Sequence, residues 1–228
     1  MAFFQHERLV HLIVTITFAI LELLTVCAYV IVGAVDSALS MPLLVLAIAI
    51  LILLVPYIKH YYLLENEVQK MYKQFKVADA DMVFCDFYRD FGVNENRQWI
   101  KITETYPAIK EHREFIALCF DSLCVSVVRR RLFDVVSFPA IYNAEDTALL
   151  PVLVYKSSKV SFVSEPLYHY LYRPGSLSTA KSEKIAESFY EAFHFLRQNI
   201  SDEYKEEVCF RGIKMLMYGI FYNVVKAG

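Results

Sequence analysis

The chain has 228 residues, 57% of them hydrophobic, and a formal net charge of −2. That length fits one or two domains, and the near-neutral balance offers no broad basic face, which argues against nucleic acid as a partner. Five cysteines (Cys27, Cys85, Cys119, Cys124 and Cys209) are scattered without a C-x-x-C pair. That is the usage of buried thiols in a reducing compartment, not of a zinc site or a disulfide scaffold.

The hydrophobicity is uneven. Residues 9–35 carry one acid, Glu22, besides His11, and residues 37–58 carry no charge. A bilayer core needs about 20 apolar residues in a helix. Two spans, about 9–35 and 38–58, therefore predict a transmembrane helical hairpin over residues 1–62, turning at Asp36-Ser37. A cleaved signal peptide is the alternative, but its apolar region is typically about 7–15 residues and no second full span follows it. Arg8 precedes the first span, and Lys59, Lys70, Lys73 and Lys76 follow the second, while the turn has neither Lys nor Arg. The positive-inside rule then places both termini in the cytoplasm, with the lipid bilayer as the hairpin's partner. Glu22 lies mid-span. It is either a proton or ligand site, or a neutral carboxyl hydrogen-bonded at a helix contact, for example to Thr15, Thr17 or Thr25.

From Lys59 onward charges are distributed as in an ordinary folded domain, long enough to bury its own core. Residues 61–76 read as an amphipathic helix, with Leu64, Val68, Met71, Tyr72 and Phe75 on one face and Tyr57, Tyr61 and Tyr62 suited to the membrane interface. Residues 81–88 (DMVFCDFY) read as a strand, 93–107 as a loop and 111–125 as a helix. A helix is expected from near Ala144 to Tyr155, a strand over 159–163, then an aromatic run over 167–172. Two helices close the chain, about 182–198 and 202–225, the latter with Ile213, Leu216, Met217, Ile220 and Val224 as its core stripe.

The informative stretch is residues 124–178. It holds Arg129-Arg130-Arg131-Leu132-Phe133, then Phe138-Pro139, then Glu145-Asp146. About 20 residues later come Glu165-Pro166-Leu167-Tyr168-His169-Tyr170 and the turn Arg173-Pro174-Gly175-Ser176. On the residues alone, Glu145 and Asp146 are either a site or a helix cap, and Arg173 and Ser176 either a phosphate site or a surface turn. The arginine triplet is either an anion site or a solvated corner, and His112, His169 and His194 are isolated.

This order and spacing resembles the C-terminal half of bacterial family 2 glycosyltransferases, inverting enzymes of the GT-A fold, over roughly residues 67–200. The resemblance implies a fold class of α/β type behind the two-helix hairpin: a partial GT-A-like half over residues 63–200, a few strands flanked by helices, then a C-terminal helix over 201–228. It implies that Asp146, with Glu145 beside it, is the catalytic base that takes the acceptor's proton. It further implies that Arg173 and Ser176 bind substrate, the guanidinium meeting a diphosphate. The compartment it implies is the bacterial cell membrane.

The sequence departs from the family where the nucleotide-sugar half belongs. The hairpin stands there, and the apolar stretch 48–57 replaces the D-x-D metal motif. Asp79-Ala80-Asp81 has the letters of that motif but aligns with the start of the later strand. No metal site and no cofactor is therefore expected in this chain. Mg or Mn with a nucleotide sugar is expected only if a second chain supplies the missing half. An unpaired sheet edge is expected in its place, inviting a homo-oligomer or a second chain. Three functions follow: a membrane-associated transferase completed by a partner, a non-catalytic interaction module or degenerate remnant, or an ion- or lipid-related two-span protein for which Glu22 is the sole support.

Overall fold

The computed structural model describes residues 2–35, 37–91, 97–105, 112–173, 175–176 and 182–227. The chain divides into two compact units, Met1–Glu67 and Val68–Gly228.

The first unit holds helix α1, Ala2–Gly33, and most of α2, Ser37–Ala78. Three helices of the chain are long and apolar enough to cross a membrane: Leu12–Gly33, Ser40–Ala78 and Asp202–Val225. In the first unit the large apolar side chains, such as Leu23, Leu24, Ile31, Ile52 and Leu53, are exposed. Thr25, Ser40, Ala47, Ile50 and Leu54 are the sheltered ones, and a Cβ at Gly33 would sit 3.5 Å from that of Ser40. Three of the five sheltered residues are small or carry a hydroxyl and most of the large aliphatics face out, a distribution that suits lipid. Thr17 and Thr25 donate their hydroxyls to the carbonyls of Ile13 and Leu21, each at 2.8 Å. Glu22 Oε2 is sheltered without a hydrogen-bond partner, so these two threonines do not serve it as expected. The amphipathic segment expected over 61–76 is no separate element: it continues the apolar run as one helix of 42 residues, through Pro42 and Pro56.

The second unit is built on a small mixed sheet. Strand β1, Met82–Asp90, is central, antiparallel to β2 (Gln98–Ile100) and β3 (Ser126–Val128) and parallel to β4 (Val160–Leu171). β1 carries consecutive apolar residues that are buried on both faces, as an inner strand requires. β4 runs on through Pro166, merging the expected strand at 159–163 with the aromatic run at 167–172. Pro166 has no N–H for the ladder. The register shifts on both sides of its partner Asp86, so an irregularity absorbs it. Among the described residues no strand pairs with the outer edge of β4. The end of α2 lies there instead, with Gln74 Nε2 donating to Ser161 Oγ at 2.8 Å and Lys70 meeting Glu165 at 2.5 Å.

Helices cover the sheet. The short α3 (Ile102–Thr105) and α4 (His112–Leu118) are followed by α5 (Glu145–Lys156), whose residues 148–154 are all buried. Phe84, Phe115 and Phe162 meet with ring centroids 5.5–6.1 Å apart. Helix α6, Glu183–Asn199, is capped by Ser182 Oγ, which accepts the Ile185 amide hydrogen. The last helix runs through α7 (Lys205–Lys214), a π-helical stretch (Met215–Phe221) and α8 (Tyr222–Ala227). It presses on α6 so closely that a Cβ at Gly212 or Gly219 would lie 2.5 or 2.3 Å from the rings of Phe193 and Phe189. Its inward stripe is Val208, Arg211, Met215 and Gly219, not the one read from sequence: Ile213, Leu216, Met217 and Val224 are exposed.

Candidate functional site

Of the residues singled out by sequence, Asp146 lies beside Tyr168 of β4, Arg173 and Ser176 lie just past the end of β4, and the arginine triplet lies at the start of β1. Helix α5 precedes β4 and packs on α4 and α6, and its first turn carries Glu145 and Asp146. The turn is set by Ala144, in the left-handed region at φ 63°, whose amide hydrogen meets Asn143 Oδ1 at 2.6 Å. Ala144 offers no side-chain cap, so Glu145 and Asp146 are the first helical residues and neither is the cap. Such a conformation at a residue with a Cβ is strained, and strain of this kind clusters at functional sites.

Asp146 leaves its own helix to reach another segment. Its Oδ2 accepts the Leu123 amide hydrogen at 3.2 Å, from the 3-10 turn Leu123–Val125. Burial pushes the Asp146 carboxyl above its ordinary range, only partly offset by that amide, and the charge of Glu145 adds to the rise. Tyr168 projects from β4 into the same corner. Its hydroxyl is pushed up to about 12, chiefly by burial, then by a hydrogen bond to the Cys124 thiol and by nearby Tyr170 and Asp146. The corner thus combines a carboxyl biased toward its neutral form, a phenol that keeps its proton at neutral pH and an exposed thiol. Such a carboxylate is a stronger base than an ordinary one, and the dipole of α5 holds its charge in place.

Glu145 is exposed. Arg173 is also exposed, just past β4, and its carbonyl accepts both the Ser176 amide hydrogen (3.3 Å) and the Ser176 hydroxyl (2.9 Å), around Gly175 at φ 79°. These are the bonds of a tight turn. Pro174 and residues 177–181 lie outside the described residues.

In the arginine triplet Arg130 and Arg131 are exposed, as a solvated corner would have them, while Arg129 and Arg131 also pair with Asp81. Asp81, buried at the start of β1, has one oxygen 2.6 Å from Arg131 and 3.1 Å from Arg129, and its other oxygen accepts the Ser158 amide hydrogen at 2.8 Å. Burial pushes its carboxyl up, but the Ser158 amide and the two guanidinium groups outweigh that and hold it below the ordinary range. Arg129 also bonds Asp79 at 3.0 Å and the Ala80 carbonyl at 2.8 Å. The letters of Asp79-Ala80-Asp81 therefore spell an ion-pair clasp.

Sequence reading missed a second cluster, on the opposite face of the sheet. Tyr88 stands in register between Trp99 of β2 and His169 of β4. Asp86 accepts from Trp99 Nε1 (3.2 Å) and the Thr103 amide (2.9 Å), while Asp90 pairs with Arg97 (2.6 Å) and His169 (3.2 Å). The hydrogen bond from Arg97 lowers the Asp90 carboxyl, more than its burial raises it, and His169 adds to the lowering. The alternation Asp86, Tyr88, Asp90 was the available signal, since every second strand residue shares a face.

No protein-family model matches the chain, and no curated protein matches it.

Proposed function

We propose that the chain is a membrane-anchored protein of the family 2 glycosyltransferase type that holds the acceptor side of the reaction, in the bacterial cell membrane with both termini cytoplasmic. On this reading residues 63–200 follow a partial GT-A-like plan, and a second chain supplies the nucleotide-sugar half. The observation that supports it most is Asp146: a carboxylate made more basic by burial, on the first turn of a helix, beside Tyr168 of the very segment that carries the family-like motif.

In this role Asp146 takes the proton of an acceptor hydroxyl while that oxygen bonds to the sugar's anomeric carbon and a nucleoside diphosphate leaves. Glu145 keeps the local field negative, and the turn of Arg173 and Ser176 offers a guanidinium to the departing diphosphate. The described residues contain no cluster of His, Cys, Asp or Glu suited to a metal ion, and Asp81 is committed to two arginines. Among the described residues no donor set fits a resident Mg or Mn, so no step is routed through one. The hairpin standing where the nucleotide-sugar half would lie favours the second reading, a degenerate remnant or non-catalytic module that binds a glycan or partner at the membrane.

Thermal unfolding of the detergent-purified chain separates these readings. UDP- and GDP-sugars with Mn²⁺ are expected to leave the midpoint unchanged, and saturable stabilisation by them would show a donor site in this chain. Acceptor oligosaccharides are expected to stabilise it, with Asp146→Asn weakening that binding about tenfold. An acceptor response indifferent to Asp146→Asn would remove the catalytic assignment and leave the binding module.

A further inference from the structure

The last helix is apolar on two sides. One side faces the core through Val208, Met215 and Gly219. The other carries Phe210, Ile213, Met217, Tyr218 and Phe221, with Ile213 62%, Met217 57% and Phe221 63% exposed. All five are exposed while Val208, Arg211, Met215 and Gly219 are buried, so they belong to the outward side of the helix. The one cation in the stripe, Lys214, is already paired with Asp121 at 3.2 Å. A helix surface of this size with no free charge marks an interaction site.

We infer that this stripe lies in the headgroup and acyl boundary of the lipid bilayer, so that the folded domain carries its own membrane contact besides the hairpin. The occupant is lipid because the same chain holds two other helices able to cross a bilayer, Leu12–Gly33 and Ser40–Ala78, which keep a membrane within reach of the domain. The composition agrees: phenylalanine and tyrosine among aliphatics, on a helix whose other face is occupied, is an interfacial pattern. The helix lies on the membrane and does not cross it. Arg211, fully buried on the inward side, is bound to Asp121 and to the carbonyls of Ala117 and Cys119, and Glu206 and Glu207 stand in the first turn. Insertion would carry those groups into hydrocarbon, where each is costly.

The full chain reconstituted in phosphatidylcholine vesicles tests this. In a Trp99→Phe background, a single fluorophore introduced by Met217→Trp is expected to be quenched about twofold by lipids brominated near the headgroup end of the acyl chain, with or without added salt. The same reporter placed by Tyr190→Trp on α6 is expected to be unaffected. Adding Ile213→Glu and Phe221→Glu should abolish quenching at 217 while circular dichroism stays the same. Absence of quenching at 217 overturns the proposal, as does strongest quenching by bromines at the chain ends, which would mean a crossing helix. Shielding at 217 that grows with protein-to-lipid ratio without bromine quenching also overturns it, in favour of a second copy. On the unsubstituted chain, a lipid-soluble diazirine should label the peptide around 210–225 and spare that around 183–199; the reverse pattern refutes the assignment.

Discussion

The two units of this chain solve the same problem, sheltering polar groups, in opposite ways. In Met1–Glu67 the sheltered residues are few, Thr25, Ser40 and Ala47 with Ile50 and Leu54, and most of the bulky aliphatics face outward. In Val68–Gly228 the bulky residues are inside, yet Asp81 and Arg211 are buried with them. The difference lies in the surroundings. Helices long and apolar enough to cross a membrane suit lipid, which already satisfies an outward leucine, and there close backbone approach at small residues is what a helix pair gains. Water drives the domain's core inward, and any charge carried along must be matched. Arg211 and Asp81 each have a partner of opposite charge, with Arg211 Nε alone left unbonded, whereas Glu22 Oε2 in the hairpin has no hydrogen-bond partner.

Substitutions graded by burial and pairing probe this contrast. The largest effect should come from Arg211→Ala, which strips the only buried guanidinium among the described residues from Asp121 and two carbonyls. A loss of about 3–5 kcal/mol in the domain is expected from thermal or denaturant unfolding. Asp81→Asn should cost about 2 kcal/mol, the worth of charge-assisted hydrogen bonds at a buried carboxylate. Because the folded Asp81 carboxyl lies below its unfolded value, its contribution is present above the ordinary carboxylate range and is lost as pH falls through the folded value. The gap between wild type and variant should therefore close in acid.

Asp146→Asn should act with the opposite sign. The folded carboxyl lies above its unfolded value, so its ionised form opposes folding at neutral pH. The variant should gain up to about 1 kcal/mol there, and the gain should vanish as pH falls below the ordinary carboxylate range. A loss at neutral pH would mean that the Leu123 bond dominates. The smallest effect is expected of Glu22→Gln, which should leave the domain's unfolding within about 0.5 kcal/mol. A larger change would show the two units to be energetically coupled.

Much of the chain was legible because its elements are long and periodic. Apolar runs beyond the length of a bilayer crossing announce α1 and α2, and consecutive β-formers announce β1. Helices α5 and α6 start within a residue or two of their expected positions. What failed was local chemistry and helix orientation. The segment 93–107 reads as loop, yet β2 and α3 form within it because Asp86 fixes Trp99 and the Thr103 amide, a contact made across the sheet. The final helix misled because it is apolar on two sides, and periodicity cannot say which faces the core. There the glycines decide: only the face of Gly212 and Gly219 lets the rings of Phe193 and Phe189 approach. At the candidate site the chain showed Asp146, but not the corner formed with Cys124 and Tyr168, which no linear spacing encodes.

The Cys124 thiol makes that corner chemically addressable. It is exposed and adjoins the residue whose amide holds Asp146, whereas Cys85 and Cys119 are enclosed. The rate at which a small alkylating reagent modifies position 124, followed by peptide mass, is thus a local clock for occupancy, running slower whenever something sits against Asp146. It reads the site without requiring turnover, and so can screen sugars, lipids and partner chains alike.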